Sequence, residues 1–288
     1  MQKETRKEHQ TMITGSIMLD IYISVCLFIL GSVMGSFLNC AGIRLMNGEP
    51  IAKARSHCMS SGHVLGAGEL VPVFSWIFHK GRCRYCGEKI SPRYLVTELV
   101  MGAAFVGTFL RFGISIETGT DLILICILLC ASVCDMEDRA IPDRFFIMTV
   151  DLWILRLALS LLFDRSVSVQ GLISSGIGAV VIPLALFGIS LILEKILGRE
   201  TLGMGDIKMF FALGFHLGAA KSFLNVILTC VIGLVAIAIQ KAVKRPAATE
   251  EEEENPGALP LMPSIALSSF AVLMTGDLII NSYMSLIS

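Results

Sequence analysis

The sequence has few charged residues for a chain of its length. Only 16% of its 288 residues are charged, whereas an average soluble domain carries about 25%. Its 24 acidic and 23 basic residues nearly cancel, and the net charge of −1 offers no electrostatic basis for binding nucleic acid. Hydrophobic residues make up 54% of the chain and mean hydropathy is +0.74. These values exclude a disordered chain, argue against a soluble enzyme and predict a polytopic membrane protein.

Regular cysteine pairing and a signal-peptide cleavage site are also missing. The nine cysteines are odd in number and have no regular spacing, which argues against a disulfide framework and favours a reducing compartment. The first apolar run follows a basic, polar N-terminus and has no small-residue cleavage site. We therefore expect this run to be a retained membrane helix rather than a removed signal peptide.

Apolar runs long enough to cross a membrane recur along the chain, since a helix needs about 20 such residues. They predict an all-α polytopic membrane protein with about eight transmembrane helices, or seven if the short run at 207–220 merges with its neighbour. The predicted helices cover roughly residues 18–43, 95–112, 118–134, 145–163, 169–193, 207–220, 223–240 and 262–286.

The polar segment 44–94 determines the predicted orientation. Its basic residues are Arg44, Lys53, Arg55, Lys80, Arg82, Arg84, Lys89 and Arg93. Because basic loops stay inside, this segment is expected in the cytoplasm. The predicted organisation is an N-terminal tail (1–17), a first transmembrane helix (18–43), a small cytoplasmic cysteine-containing loop domain (44–94) and a transmembrane helical bundle (95–288).

Two carboxylates stand where apolar runs meet loops. Asp135 follows the run 122–134 directly, and Asp206 follows Gly203-Met204-Gly205 at the start of another run. Ionisable groups at such positions are costly and are therefore candidates for function. The predicted helix count places both at one face of the membrane. Two carboxylates in contact share a proton and can act as acid and base, as in aspartic proteases. The alternative is that both merely terminate helices, Asp206 favourably at a helix N-terminus.

A cysteine cluster lies in the loop domain. Cys83-Arg84-Tyr85-Cys86 is a zinc-knuckle half-site, in which a tight turn directs two thiolates at one metal. Cys58 lies upstream, but Ser61 stands where the second thiolate of its turn is expected. Serine is a poor zinc ligand, so the sequence offers three cysteine ligands for a candidate zinc site.

The fourth ligand of this candidate site is left open. His57 or His63 could complete a Cys3His site. The alternative is a metal-free loop held by packing of its apolar segment, which comprises Leu70, Val71, Val73, Phe74, Trp76, Ile77 and Phe78.

Taken in chain order, several motifs resemble those of the bacterial type IV prepilin peptidases, the leader peptidase and N-methyltransferase family of membrane aspartic proteases. The resemblance covers roughly residues 20–275. The matching elements are Gly35-Ser36-Phe37-Leu38-Asn39, Gly81-Arg82-Cys83-Arg84-Tyr85-Cys86, Ile90-Ser91-Pro92-Arg93-Tyr94 with Glu98, Asp135 with Ile141-Pro142-Asp143, Gly203-x-Gly205-Asp206 with Lys208, and Leu259-Pro260-Leu261-Met262-Pro263.

The resemblance implies a function for each part of the chain. Asp135 and Asp206 would be the catalytic pair, cutting the basic leader from prepilins or pseudopilins at the cytoplasmic face of the bacterial inner membrane, usually after a glycine. The substrate's apolar helix would lie in the lipid. Segment 44–94 would serve N-methylation from S-adenosylmethionine, although it contains no glycine-rich fingerprint for that cofactor. Basic leader residues could approach Glu69, Glu88 or the glutamates at 250–254.

Two alternatives accompany this interpretation. A proton- or cation-coupled transporter would also use carboxylates near a membrane, but it would not account for the cysteine loop. A methyltransferase or assembly factor without protease function is opposed by the intact aspartates. The glutamate run at 250–254 has the pattern of a solvated linker, with binding of a partner as the other interpretation.

Overall fold

A computed structural model describes residues 14–51, 56–58, 60–164, 167–198, 201–243 and 260–287. Most of the predicted N-terminal tail and the glutamate run at 250–254 lie outside these residues. The chain divides into two compact units, Met1–Cys130 and Ala131–Ser288. Apart from two isolated β-bridges, the regular structure of the described residues is helical, which confirms the predicted all-α class.

The first unit contains two long helices and most of a third. Helix α1 covers Ile17–Met46, a 3-10 turn covers Ala67–Glu69 and a short helix α2 covers Phe74–Phe78; α3 covers Pro92–Phe112, and α4, Ile116–Asp138, begins in this unit. Helix α3 starts with a favourable combination, a Ser91 side chain that accepts the Arg93 N–H and a proline at the first turn.

Glycines allow α1 and α3 to pack closely. A Cβ at Gly31 would lie 2.6 Å from the Met101 carbonyl oxygen, and one at Gly35 would lie 2.9 Å from the Thr97 carbonyl oxygen. On the facing helix, a Cβ at Gly102 would lie 2.7 Å from the Ser32 hydroxyl. Small residues spaced four apart support close van der Waals packing of helices in lipid, where the hydrophobic effect adds little. The sequence Gly31-x-x-x-Gly35 thus fixes how the helices of this unit meet.

The second unit contains the end of α4 and four further helices: α5 at Asp143–Leu159, α6 at Val169–Leu197, α7 at Met204–Val243 and α8 at Met262–Ile287. Helix α5 continues into a π-helical turn at Ser160–Asp164. Helix α6 ends at Gly198, whose φ of 68° is the left-handed conformation typical of a glycine cap.

Helix α7 is interrupted at Gly218, where φ is 73° and ψ is 174°. Its second segment, 219–243, runs antiparallel to α8. Near its start Lys221 forms an ion pair with Asp277 at 2.9 Å, and further along a Cβ at Gly233 would lie 3.8 Å from the Ser264 hydroxyl, near the start of α8. The contacts with α8 therefore fix the direction of this segment.

These contacts show that the chain reverses at Gly218. Residue 233 lies near the first turn of α8, and that turn bonds to Asp135, which lines the same pocket as Asp206. A continuous helix would place residue 233 about 40 Å from residue 206. Only a reversal returns it to the level where α7 began, so α7 is a helical hairpin.

Seven helices of the described residues are long and apolar enough to span a membrane, which is the number predicted if the run at 207–220 merges with its neighbour. The runs expected at 207–220 and 223–240 both lie in α7. The first segment of α7, before Gly218, is shorter than the length needed for a separate span. The chain nevertheless reverses at Gly218, as it would between two separate spans.

Close packing of α6 against α7 leads to a test of stability. A Cβ at Gly178 would lie 2.7 Å from the Gly218 carbonyl carbon, whereas a Cβ at Gly176 has no neighbour within 4 Å. We expect Gly178→Leu to lower the free energy of unfolding by about 1–3 kcal/mol, because overpacking forces the helices apart. Thermal unfolding in detergent measures this change. An equal loss in the matched Gly176→Leu variant would show that the contact with α7 is not the cause.

Candidate active site and cysteine cluster

Asp135 and Asp206 converge on one pocket of the second unit. The pocket has a volume of about 280 Å³ and is also lined by the loop after α4 and by the first turn of α7. The two carboxylates are close enough for their charges to interact. Asp135 is 6% exposed, and Asp206 is partly buried. The structure therefore brings together the two residues that the sequence selected from positions 71 apart.

The N-terminus of α8 holds the Asp135 carboxylate. The Met262 N–H donates a hydrogen bond of 2.9 Å to Asp135 Oδ2, and the backbone at Leu261 adds a second hydrogen bond. The first N–H groups of a helix have no partner within it, and the helix dipole favours an anion at that end. Asp135 is thus oriented by backbone donors from a distant part of the chain.

Asp206 has a different environment. Its Oδ1 atom is buried and has no hydrogen-bond partner among the described residues. The preceding glycine lets the backbone approach the loop after α4, since a Cβ at Gly205 would lie 3.2 Å from the Ile141 side chain. A buried polar atom without a partner is uncommon in native proteins and requires an explanation. Here the atom belongs to a residue that lines the pocket, where a substrate or water can supply the bond.

An ion pair lies at the edge of the same pocket. Lys208 Nζ bonds to Asp143 Oδ1 at 2.6 Å, which joins the first turn of α7 to that of α5. The lysine and aspartate side chains are 41% and 68% exposed, so the pair contributes little to stability. Its position connects the two helix ends that border the carboxylates.

In the first unit, the two cysteine turns have the same backbone geometry. In each, the first cysteine donates its N–H to the carbonyl five residues later, over 2.9 Å and 2.8 Å. A glycine follows the fourth position of each turn, with φ of 68° at Gly62 and 73° at Gly87, and its N–H donates back to the cysteine carbonyl. Both turns are zinc-knuckle-like, and Ser61 occupies the position in the first that Cys86 occupies in the second.

The three thiols form one cluster. The sulfur atoms of Cys58, Cys83 and Cys86 all lie within 4.8 Å of one another, and Cys58 Sγ is 3.6 Å from Cys86 Sγ. Zinc–sulfur bonds of 2.3 Å in a tetrahedron place sulfurs about 3.8 Å apart, so the cluster fits such an ion. Hydrogen bonds from the Ser61 side chain and from the Ser61 and Ser60 backbone lower the pKa of the Cys58 thiol to about 6.

The Ser61 hydroxyl lies at the fourth position of this cluster, because it hydrogen bonds to the thiols of Cys58 and Cys86. Neither histidine expected there belongs to the group of ligand atoms found among the described residues. The His63 ring stacks on Tyr85, with ring centroids 3.7 Å apart, and His57 pairs with Val64 in an antiparallel bridge. The structure thus directs a serine, rather than a histidine, toward the open corner.

Replacing this serine gives a testable result. We expect Ser61→Cys to raise the affinity of the protein for Zn²⁺ by at least about tenfold, because a fourth thiolate completes a closed tetrahedral site. Competition with a chromophoric chelator measures the affinity. Ser60→Cys is the matched control, since it adds a thiol one residue away. Equal affinities in the two variants would contradict the assignment of the fourth position to Ser61.

Comparisons with known proteins agree with this geometry. Residues 29–112 match the Bacterial Peptidase A24 N-terminal domain, and residues 122–238 match the Type IV leader peptidase family. The Prepilin leader peptidase/N-methyltransferase of Bacillus subtilis (strain 168) is 31% identical over 90% of this chain and 97% of its own length. The chain belongs to this family. Proteins of the same name from Stutzerimonas stutzeri and Pseudomonas putida are each 28% identical, over 90% and 96% of this peptidase and 93% and 99% of their own lengths.

No solved structure matches the peptidase. Family membership identifies it as an enzyme and a multi-pass membrane protein, and it confirms the predicted resemblance. None of the matches supports the transporter alternative.

Two hydrogen bonds that position residues in the peptidase could not be predicted from the types of residue in the sequence. The first is the Met262 N–H that binds Asp135; the only signal was the proline-bearing motif that begins α8. The second is in the first unit, where buried Glu98 accepts a 2.7 Å hydrogen bond from the Val73 N–H. Val73 has a φ of 64°, a strained conformation for a β-branched residue, and Glu98 holds it at the start of α2.

The apolar segment of the loop does not form the packed core that the metal-free alternative required. Of its seven residues only Val73 is buried, while Phe74, Ile77 and Phe78 are 59%, 55% and 77% exposed. These side chains are therefore available to lipid, and packing among them does not account for the cysteine turns.

Proposed function

We propose that this peptidase removes the leader of type IV prepilins or pseudopilins by aspartic catalysis at Asp135 and Asp206. The observation that carries the proposal is the convergence of both carboxylates on one pocket at the ends of membrane helices. The names of the curated relatives supply the substrate class. A leader junction that leaves the membrane beside these helix ends would meet both groups.

The different environments of the carboxylates suggest a role for each. Two carboxyl groups whose charges interact in one pocket can hold one proton between them. Asp135, which accepts backbone donors from α8, is the anion and removes a proton from the attacking water. Asp206, whose Oδ1 has no protein partner, carries the shared proton and gives it to the oxygen of the scissile carbonyl. When the tetrahedral intermediate collapses, the C–N bond breaks, the proton taken by Asp135 passes to the leaving amine, and Asp206 takes back a proton from one hydroxyl of the intermediate, which becomes the new carboxyl group.

The proposed location is the cytoplasmic face of the inner membrane. The basic segment 44–94 is expected inside, and the reversal at Gly218 supports the assignment of the loops after α4, α6 and α7 to one face. The substrate's apolar helix would remain in lipid while its charged leader extends into the cytoplasm. This separation of polar and apolar parts suits a site at the ends of α4 and α7.

The cysteine cluster is proposed to hold Zn²⁺ through Cys58, Cys83 and Cys86. A metal there would cross-link the two turns and keep the loop folded, which is a structural role. N-methylation from S-adenosylmethionine is proposed from the names of the relatives alone. The loop sequence has no glycine-rich fingerprint for this cofactor, so none of its residues is assigned a role in the methyl transfer.

Intact mass spectrometry of a prepilin-like substrate tests both activities. The peptidase would be reconstituted in liposomes and incubated with the substrate, with and without S-adenosylmethionine. The expected products are a free leader and a shortened apolar chain, which gains a methyl group when the cofactor is present. Uncut substrate with several different prepilins would contradict the peptidase proposal, and cleavage without added mass would contradict methylation only.

A further inference from the structure

The short helix α2 of the first unit has an exposed apolar face. Phe74, Ile77 and Phe78 are 59%, 55% and 77% exposed. Their spacing of three and four residues places them on the same face of the helix. The helix is packed elsewhere, since a Cβ at Gly81 would lie 2.7 Å from the Trp76 ring. The exposed face therefore belongs to a folded helix, and a contiguous apolar surface of this kind marks a site of interaction.

Hydrogen bonds fix the level of α2 along the membrane helix α3. The residue before α2, Val73, donates its N–H to Glu98 over 2.7 Å, and Glu98 lies in the second turn of α3. Just beyond the other end of α2, the Gly81 carbonyl accepts a 2.8 Å hydrogen bond from the N–H of Ile90, which closely precedes Pro92, the first residue of α3. Helix α2 therefore lies beside the first two turns of α3.

Helix α3 has no length to spare for a span. Its 21 residues extend over about 30 Å, which equals the thickness of the hydrocarbon core. When α3 spans the membrane, its first turns lie where the hydrocarbon meets the headgroups, and α2 lies at the same level. An exposed apolar face at this level contacts acyl chains rather than water.

Basic residues lie next to this face. Lys80 comes just after α2, and Arg82 pairs with Lys89 in an antiparallel bridge. All three side chains are exposed, and the hydrogen bond between Gly81 and Ile90 holds their segment beside the start of α3. An apolar aromatic face with lysine and arginine beside it is the pattern of elements that lie in the interface of membranes with anionic lipids.

We propose that α2 is an interfacial anchor: its apolar face inserts among the acyl chains, and Lys80, Arg82 and Lys89 bind anionic lipid headgroups. Lipid is the occupant of this surface because α3 places it at the membrane boundary and because its charges complement those headgroups. Since Arg82 and Lys89 bracket the second cysteine turn, the contact holds that turn at the membrane surface. The contact does not depend on the proposed leader cleavage.

Photocrosslinking in liposomes tests the contact at matched positions. Phe78→p-benzoylphenylalanine places a photoreactive aromatic group on the apolar face, and Ile77→p-benzoylphenylalanine probes the same face at a second position. Tyr85→p-benzoylphenylalanine places the group in the second cysteine turn, where Tyr85 is 53% exposed. The full chain would be reconstituted in equimolar phosphatidylglycerol and phosphatidylcholine and irradiated, and intact mass spectrometry would identify each adduct.

We expect lipid adducts at positions 77 and 78 to exceed those at position 85 by at least about tenfold, because only the α2 face is inserted. Among the adducts at position 78, phosphatidylglycerol should exceed phosphatidylcholine by at least about threefold, since basic residues near the surface attract anionic lipids. Replacing Lys80, Arg82 and Lys89 together by glutamine should remove this preference. The matched Arg84→Gln variant, which loses an exposed charge within the cysteine turn, should keep it.

Three results would overturn the proposal. Adducts of positions 77 and 78 with the protein's own chain or with a second copy, in place of lipid, would show that protein covers the face. Equal lipid labelling at positions 78 and 85 would show that α2 is not inserted. An unchanged ratio of the two lipids in the triple glutamine variant would show that the three basic residues do not bind the headgroups.

Discussion

Asp135→Asn and Asp206→Asn are each expected to lower kcat for leader cleavage by at least about 10³-fold, the scale on which removal of an essential catalytic group acts. Asparagine keeps the shape of the side chain but can neither take a proton from water nor share one with the partner carboxyl. The Met262 N–H can still bond to the amide oxygen at position 135, so the fold should survive. Initial cleavage rates, with circular dichroism to confirm helical content, measure the effect.

Asp143→Asn is the matched comparison for these two variants. Asp143 lines the same pocket, but its carboxylate is paired with Lys208 and largely exposed. Loss of this pair is expected to lower kcat by less than about tenfold. If Asp143→Asn were as inactive as Asp206→Asn, the catalytic pair would have been assigned to the wrong carboxylates.

Met262→Pro is expected to lower kcat by about 10- to 100-fold, because it deletes the N–H that binds Asp135 Oδ2. Hydrogen bonds to charged groups contribute about 1.5–3 kcal/mol, and each 1.36 kcal/mol corresponds to a tenfold change in rate. Met262 is the first residue of α8, a position where proline is well tolerated. The backbone can therefore keep its course while one donor is lost.

Met262→Ala separates this effect from packing. The Met262 side chain is fully buried, so its loss destabilises the protein in both variants, but alanine keeps the N–H. We expect Met262→Ala to unfold at a lower temperature and to retain a kcat near that of the wild type. Equal values of kcat for the alanine and proline variants would show that the backbone donor does not support catalysis.

Much of the candidate site was accessible from the sequence because membrane helices impose strong rules. A charged residue beside an apolar run stands out, and counting the runs placed Asp135 and Asp206 at one face. The sequence leaves the helix count at eight or seven, because the segment 204–217 is shorter than a typical span and the sequence does not show that Gly218 reverses the chain. A glycine can bend, end or continue a helix, and only the contacts of 219–243 with α8 decide between these.

The parts of the candidate sites that the sequence could not predict depend mostly on backbone groups and backbone geometry. The N–H of Met262 has no residue-type signal, because every residue except proline carries one. For the fourth corner of the cysteine cluster the sequence offers His57 or His63, because histidine is a better zinc ligand than serine. Local geometry decides otherwise, since the turn that begins at Cys58 repeats the turn that begins at Cys83 and directs Ser61 inward.

We propose that Asp135 and Asp206 act as one catalytic unit, and cleavage by the Asp135→Asn/Asp206→Asn double variant is the measurement that decides whether they do. Residues that act together are strongly non-additive, so that losing both costs little more than losing one. Single-turnover cleavage of a prepilin-like substrate by the reconstituted peptidase supplies the rates. We expect the rate of the double variant to be within a few-fold of that of the slower single variant. A loss equal to the product of the two single losses would contradict it, because the two carboxylates would then contribute independently.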